Sequence, residues 1–212
     1  MSRLFLMLSF CALLFSACNK GGSTYAEIET EFGTMKVKLY NSTPKHRDNF
    51  IKLANDNFYE DLLFHRVIKG FMVQGGDPDS RDATPEARLG GGGPGYQTDA
   101  EIGALHIKGA LAAARTQNPE KKSSGSQFYL VQGTKQNDTG LNALEKQKGV
   151  KYSPEQRELY KTLGGTPALD NEYTVFGEVV EGMEVIDKLA EVQTAPGDRP
   201  VKDVKMKVRI LN

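Results

Sequence analysis

Residues 64–77 read Phe64-His65-Arg66-Val67-Ile68-Lys69-Gly70-Phe71-Met72-Val73-Gln74-Gly75-Gly76-Asp77, and the fold turns on this stretch. Phe64 to Ile68 and Phe71 to Val73 are short runs rich in aromatic and branched residues, which favour strands. Gly70 breaks them, as glycine does where a chain must turn. Two such strands place an arginine, a phenylalanine, a methionine and a glutamine close together. Residue types alone leave two readings open: plain core with a solvated arginine, or a site.

Working outward, Met35, Val37 and Leu39 alternate with Lys36 and Lys38, the period of two of a half-buried strand. Phe32-Gly33 marks the turn joining it to a strand over Tyr25 to Thr30. Thr43-Pro44 resembles an N-cap followed by proline in the first helical turn, and Phe50, Leu53 and Ala54 recur at helical spacing up to Asn57. Asp79 to Asp99 is a glycine-rich and polar surface loop. Apolar runs return at 110–114, 128–131 and 175–180, and Met206, Val208 and Ile210 alternate with basic residues at the end of the chain. Met183 to Leu189 predicts a second short helix. Many short strands with few helices point to a barrel or sandwich.

Residues 134–166 change character to a charged, lysine-rich segment with a capping-box start at Ser153-Pro154-Glu155-Gln156 and a Gly164-Gly165 stop. It reads as a helical insertion, either a solvated excursion or a surface that contacts a partner or substrate. At the N-terminus, Arg3 precedes an apolar run from Leu4 to Phe15 and then Ser16-Ala17-Cys18, the layout of an export signal over 1–17. Phe15-Ser16-Ala17-Cys18 resembles the lipobox of bacterial lipoproteins, although Phe15 replaces the usual leucine. That resemblance implies a lipid on Cys18, a tether over 18–24, one domain over 25–212, and a place in the bacterial cell envelope outside the cytoplasm. Cys11 is discarded with the signal, so no intrachain disulfide is expected. The remaining chain carries 26 basic against 27 acidic residues, a balance that gives no footing for nucleic acid.

Two other features compete as sites. Gly90-Gly91-Gly92-Gly93-Pro94-Gly95 lacks the Gly-Lys-Ser/Thr of a phosphate cradle and reads as a flexible or tightly bent loop. His46, His65 and His106 are scattered without metal-ligand spacing, so neither metal nor cofactor is expected.

The run from Phe64 to Asp77 resembles the signature of the cyclophilins. Gly109 to Ala114, Gly125-Ser126-Gln127-Phe128-Tyr129-Leu130 and Val175 to Met183 resemble further blocks of that family, in the right order. The resemblance implies a mainly β fold: a closed eight-stranded antiparallel barrel with two capping helices, interrupted by the insertion. It implies peptidyl-prolyl cis/trans isomerase activity on proline-containing peptides and unfolded exported proteins, by a monomer that needs no cofactor. By position, Arg66 takes the catalytic role and Phe71, Met72, Tyr129 and Leu169 the proline pocket. Gln74 takes the backbone contact, Ala114 and Arg115 the rim, and Gln127 a further groove position. Tyr129 stands where the family commonly has phenylalanine, Tyr173 where it often has histidine, and Ala168 where many members carry the tryptophan that binds cyclosporin. A module that binds prolyl segments with little turnover is the alternative that Tyr129 and Tyr173 leave open.

Overall fold

The computed structural model describes residues 22–211. The export signal over 1–17, Cys18 and most of the tether lie outside the described residues. Strands β1 (Thr24–Thr30) and β2 (Gly33–Leu39) form the first antiparallel pair. Met35, Val37 and Leu39 are buried while the lysines between them face outward, as their alternation predicts. Helix α1 (Pro44–Asn55) follows. Thr43 makes no side-chain capping bond; its hydroxyl donates to the Tyr40 carbonyl at 3.3 Å.

Next come β3 (Arg66–Ile68), β4 (Met72–Gly75), β5 (Gln97–Thr98), β6 (Ala110–Ala113), β7 (Ser123–Ser124) and β8 (Phe128–Val131). Helices α2 (Asp138–Lys148) and α3 (Pro154–Thr162) form the insertion, and β9 (Val175–Glu181), α4 (Met183–Ala190) and β10 (Lys207–Leu211) complete the order. Eight strands curl into one antiparallel sheet in the order β10-β1-β2-β9-β6-β8-β4-β3, and β5 pairs β7 in a separate ribbon.

Closure of the barrel is approximate. No ladder joins β3 to β10; the segments preceding them meet instead, through the isolated bridge Leu63 to Lys205. Phe64 N–H donates to Val204 O at 2.9 Å and Met206 N–H to Leu62 O at 2.8 Å. The two end strands are therefore staggered past one another, and backbone bonds outside regular strands cover the gap.

The inner face of the sheet holds the main core, onto which α1 lays Phe50 and Leu53 and α4 lays Val185, Ile186 and Leu189. Phe50, Tyr59 and Phe128 meet with ring centroids 5.2 to 5.7 Å apart, contacts worth about 0.5–1.5 kcal/mol each beyond area burial. A second apolar cluster lies on the outer face of β4, β6 and β8, built from Met72, Ala110, Ala112, Ala114, Tyr129 and Val131. Strands buried on both faces read as unbroken apolar runs, which is why 110–114 and 128–131 show no alternation.

The insertion docks by one side and leaves the outer faces of both helices exposed. Its core of Leu141, Tyr152 and Tyr160 packs on Leu105 and Ile107, and the Ser153 capping box is formed in full. At its neck Thr134 and Gly165 exchange backbone bonds at 3.0 and 3.3 Å, while Thr166 N–H donates to His106 O at 2.8 Å. A Cβ at Gly165 would stand 2.3 Å from the His106 carbonyl, so only glycine permits this approach.

Candidate active site

Strand register assembles the site. Arg66 pairs Gln74 across β3 and β4, Gln74 pairs Tyr129 across β4 and β8, and Tyr129 pairs Ala112 across β8 and β6. Residues opposite one another in a sheet point to the same face, about 4.8 Å apart from strand to strand. One row of four strands therefore carries an arginine, a glutamine and a tyrosine side by side on the outer face. Gly70, at φ +76°, turns β3 into β4, and Phe71 is held there by its N–H to Ile68 O at 3.0 Å. The Phe71 carbonyl in turn accepts from the N–H groups of Gln132 and Gly133.

A cavity of about 150 Å³ opens over this row, lined by Arg66, Phe71, Met72, Gln74, Ala114, Arg115, Tyr129, Leu169 and Tyr173. Nine of the ten substrate-contacting residues expected from sequence thus share one cavity. The tenth, Gln127, borders a neighbouring cavity of about 440 Å³ with Gln74, Ala114 and the glycine loop. Its Oε1 accepts from Gln74 Nε2 at 3.0 Å, and its own Nε2 donates to Gly92 O at 2.8 Å. Ala168 is exposed and does not line the cavity.

Six of the nine wall residues are apolar or aromatic, and Arg66, Gln74 and Arg115 supply the polar part of the lining. Met72 and Tyr129 are buried, Phe71, Leu169 and Tyr173 half-buried, and Tyr173 meets the Tyr129 ring edge-on at 5.9 Å. The Arg115 guanidinium lies 4.7 Å over the Tyr173 ring and donates to the Glu172 carbonyl and carboxylate, which fixes the rim. Arg66 is 43% exposed, and its Nε donates to Asp198 at 3.3 Å. Its two terminal nitrogens make no hydrogen bond among the described residues and remain available to a ligand.

The glycine loop is tightly bent. Buried Asp77 accepts from the N–H groups of Gly90, Gly92 and Asp79, and a Cβ at Gly92 would lie 2.2 Å from its carboxylate. Among the described residues no group of three or more His, Cys, Asp and Glu side chains could hold a metal.

Sequence reasoning missed a buried chain behind Tyr129. The Tyr129 hydroxyl lies 3.0 Å from His106 Nε2, and His106 Nδ1 lies 2.9 Å from Asp170 Oδ1, which also accepts the His106 backbone N–H at 2.8 Å. Asp170 Oδ2 accepts from Tyr152 at 2.9 Å and Tyr160 at 2.5 Å, both on the insertion. Burial, with nearby Asp170 and Tyr173 adding to it, pushes the Tyr129 hydroxyl well above the ordinary phenol range, so it stays protonated. The links span 64, 23, 18 and 10 residues, with no local spacing to betray them.

The fold is thus a curled antiparallel barrel with a cavity on its outer face, beside which the Arg66 guanidinium keeps its terminal nitrogens free of hydrogen bonds among the described residues. The family model for cyclophilin type peptidyl-prolyl cis-trans isomerases matches residues 25–209, and the chain belongs to that family. A Staphylococcus aureus (strain USA300) protein assigned by name as a peptidyl-prolyl cis-trans isomerase is 33% identical over 184 residues, 86% of this chain and 89% of that one. A Staphylococcus haemolyticus relative of the same name is 34% identical over 178 residues, covering 84% and 85%. The crystal structure of a Cryptosporidium parvum cyclophilin type isomerase superposes with a TM-score of 0.65 at 23% identity, over 90% of this chain and 99% of that one. A second structure of that protein, obtained in the presence of the dipeptide Ala-Pro, gives 0.64 at 24% identity, over 89% and 99%.

Proposed function

We propose that this isomerase acts through Arg66 on X-Pro bonds seated in the cavity walled by Phe71, Met72, Tyr129 and Leu169. The observation that carries the reading is the juxtaposition of that cavity's apolar and aromatic walls with terminal guanidinium nitrogens that no group among the described residues uses. An X-Pro bond is held planar by resonance, with a barrier near 20 kcal/mol. Turning it out of plane needs no nucleophile. In the twisted state the proline nitrogen recovers its lone pair and accepts a hydrogen bond, whereas the planar amide offers none. Arg66 donates to that nitrogen and so binds the transition state in preference to the ground state. The cavity walls hold the proline ring and exclude water, and Gln74 and Gln127 hold the peptide backbone beside it.

Arg66→Ala should lower turnover of a proline peptide by about 100-fold or more, the scale of losing one preorganised donor. Its fold should persist, because the Arg66–Asp198 pair is half-exposed and such pairs stabilise by about 0–1 kcal/mol. Exchange spectroscopy on a short proline peptide reads the rate, and a variant retaining most of it would remove Arg66 from the role.

The natural substrates under this reading are exported, unfolded chains, met by an enzyme tethered through a lipid on Cys18 outside the cytoplasm. The support is the apolar run from Leu4 to Phe15 and Cys18, which follows the two small residues Ser16 and Ala17. Mass spectrometry of the mature N-terminus should find an acylated Cys18, and an unmodified N-terminus would reject the anchor.

A further inference from the structure

Tyr129 and Leu169 are walls of the same cavity, yet both are tied to one buried carboxylate outside it. Asp170 directly follows Leu169, and through His106 it reaches the Tyr129 hydroxyl. Asp170 Oδ1 accepts two N–H groups of His106, and Oδ2 accepts the hydroxyls of Tyr152 and Tyr160. With Nδ1–H given to the carboxylate, the His106 ring leaves Nε2 facing the Tyr129 hydroxyl, which keeps its proton and donates it there. Every polar group in this chain is fully or nearly fully buried, so each depends on its protein partner rather than on water. Lys148 of α2 adds a further clamp, donating to the carbonyls of Ala168 at 2.8 Å and Asp170 at 2.6 Å.

We propose that the 134–166 insertion is the positioning element of the isomerase site, fixing the proline pocket through the chain Tyr160–Asp170–His106–Tyr129. Tyr152, Tyr160, Asp170 and His106 touch no substrate. They act through Tyr129, whose hydroxyl they draw away from the cavity so that its ring alone forms the wall; the backbone about Leu169 is anchored separately, by Lys148 on the carbonyls of Ala168 and Asp170. The apolar stacking supports this: the His106 ring lies nearly parallel to Tyr129, 15° off plane with centroids 6.1 Å apart, and edge-on to Tyr173 at 6.4 Å. A cavity of about 150 Å³ leaves little slack, and a ring free to tilt would change its fit to proline. The inference rests on reading this cavity as the proline pocket.

Its test is a double-mutant cycle between Tyr160→Phe and Tyr129→Phe, two substitutions that remove one hydroxyl each and no ring. Tyr160→Phe alone should lower kcat/KM for an Ala-Ala-Pro-Phe peptide about three- to tenfold, the scale of one lost hydrogen bond. In the Tyr129→Phe background the same substitution should change kcat/KM less than twofold, because the link to the pocket is already cut. Equal losses in both backgrounds, or no loss in the first, would overturn the proposal. A readout without substrate separates this from the assignment of the pocket: the ¹⁵N signal of His106 Nε2 should shift on Tyr129→Phe and, more weakly, on Tyr160→Phe. Failure of Arg66→Ala to slow turnover would reject the pocket assignment while leaving that signal unchanged, whereas a silent His106 signal would reject the relay alone.

Discussion

Two buried histidines in this molecule are wired alike and placed differently. His46 and His106 each give both the backbone N–H and ring Nδ1 to a single carboxylate oxygen, of Glu101 and Asp170 respectively. Each ring then meets a hydroxyl at 3.0 Å through Nε2, Ser123 in one case and Tyr129 in the other. The first chain ties the start of α1 to the β5–β7 ribbon, since Glu101 also accepts the Lys45 N–H at 3.1 Å. Its acid, histidine and serine have the connectivity of a nucleophilic triad, but Ser123 is 1% exposed and lines none of the cavities described above, so no substrate reaches it. The second chain ends on a cavity wall. Identical wiring is structural in one place and, under the function proposed above, part of the isomerase site in the other, because what the last hydroxyl borders differs.

The comparison can be broken most forcefully at the carboxylates. Asp170→Ala strands the His106 ring and the Tyr160 hydroxyl in a buried site, leaving Tyr152 only the Pro167 carbonyl, and should cost about 3–5 kcal/mol in urea denaturation. Glu101→Ala should cost nearer 1–2 kcal/mol, because Glu101 is partly exposed and water can replace it. Equal losses would mean that burial does not separate the two.

At the hydroxyls the readouts should split. Tyr129→Phe should lower kcat/KM for a proline peptide about three- to tenfold, while Ser123→Ala should leave it within about twofold and lose about 1 kcal/mol of stability. Steady-state kinetics beside denaturation curves would show whether each chain serves the role given to it.

The smallest effect is a pH dependence. Burial lowers the pKa of His46 below the usual 6.5, opposed by Glu101 and assisted by the positive charge of Lys45. Burial does the same to His65, whose ring nitrogens meet no hydrogen-bond partner among the described residues. The unfolded chain then binds protons that the folded one refuses, so this stability is present above pH 6.5 and falls as the pH drops below it. Denaturation at pH 7.5 and 5.5 should show a decline, and His46→Gln should make it shallower. A decline of the same depth in that variant would mean that His46 is not buried in its neutral form.

Much of this was legible in the residue order. Met35, Val37 and Leu39 declare a strand because side chains alternate across any sheet, and Gly70 between two strand runs sets the register that brings Arg66 opposite Gln74. The insertion's helices could be anticipated from Ser153 and Gln156, since capping is a contact over three residues. The ribbon of β5 and β7 could not, because two-residue strands leave no period. Nor could the staggered closure of the barrel, which depends on segments 142 residues apart.

Local order therefore specified most of the strands and the helices, since those follow from side-chain period and turn chemistry within a few positions, whereas the residues that face the cavity were named by the resemblance of ordered blocks to the cyclophilins. Only folding in three dimensions decided that a charged insertion would dock, that its tyrosines would share one aspartate with His106, and that this would end on the Tyr129 ring. Buried polar groups must find partners wherever the chain brings them, and the partners that satisfied these lay tens of residues away.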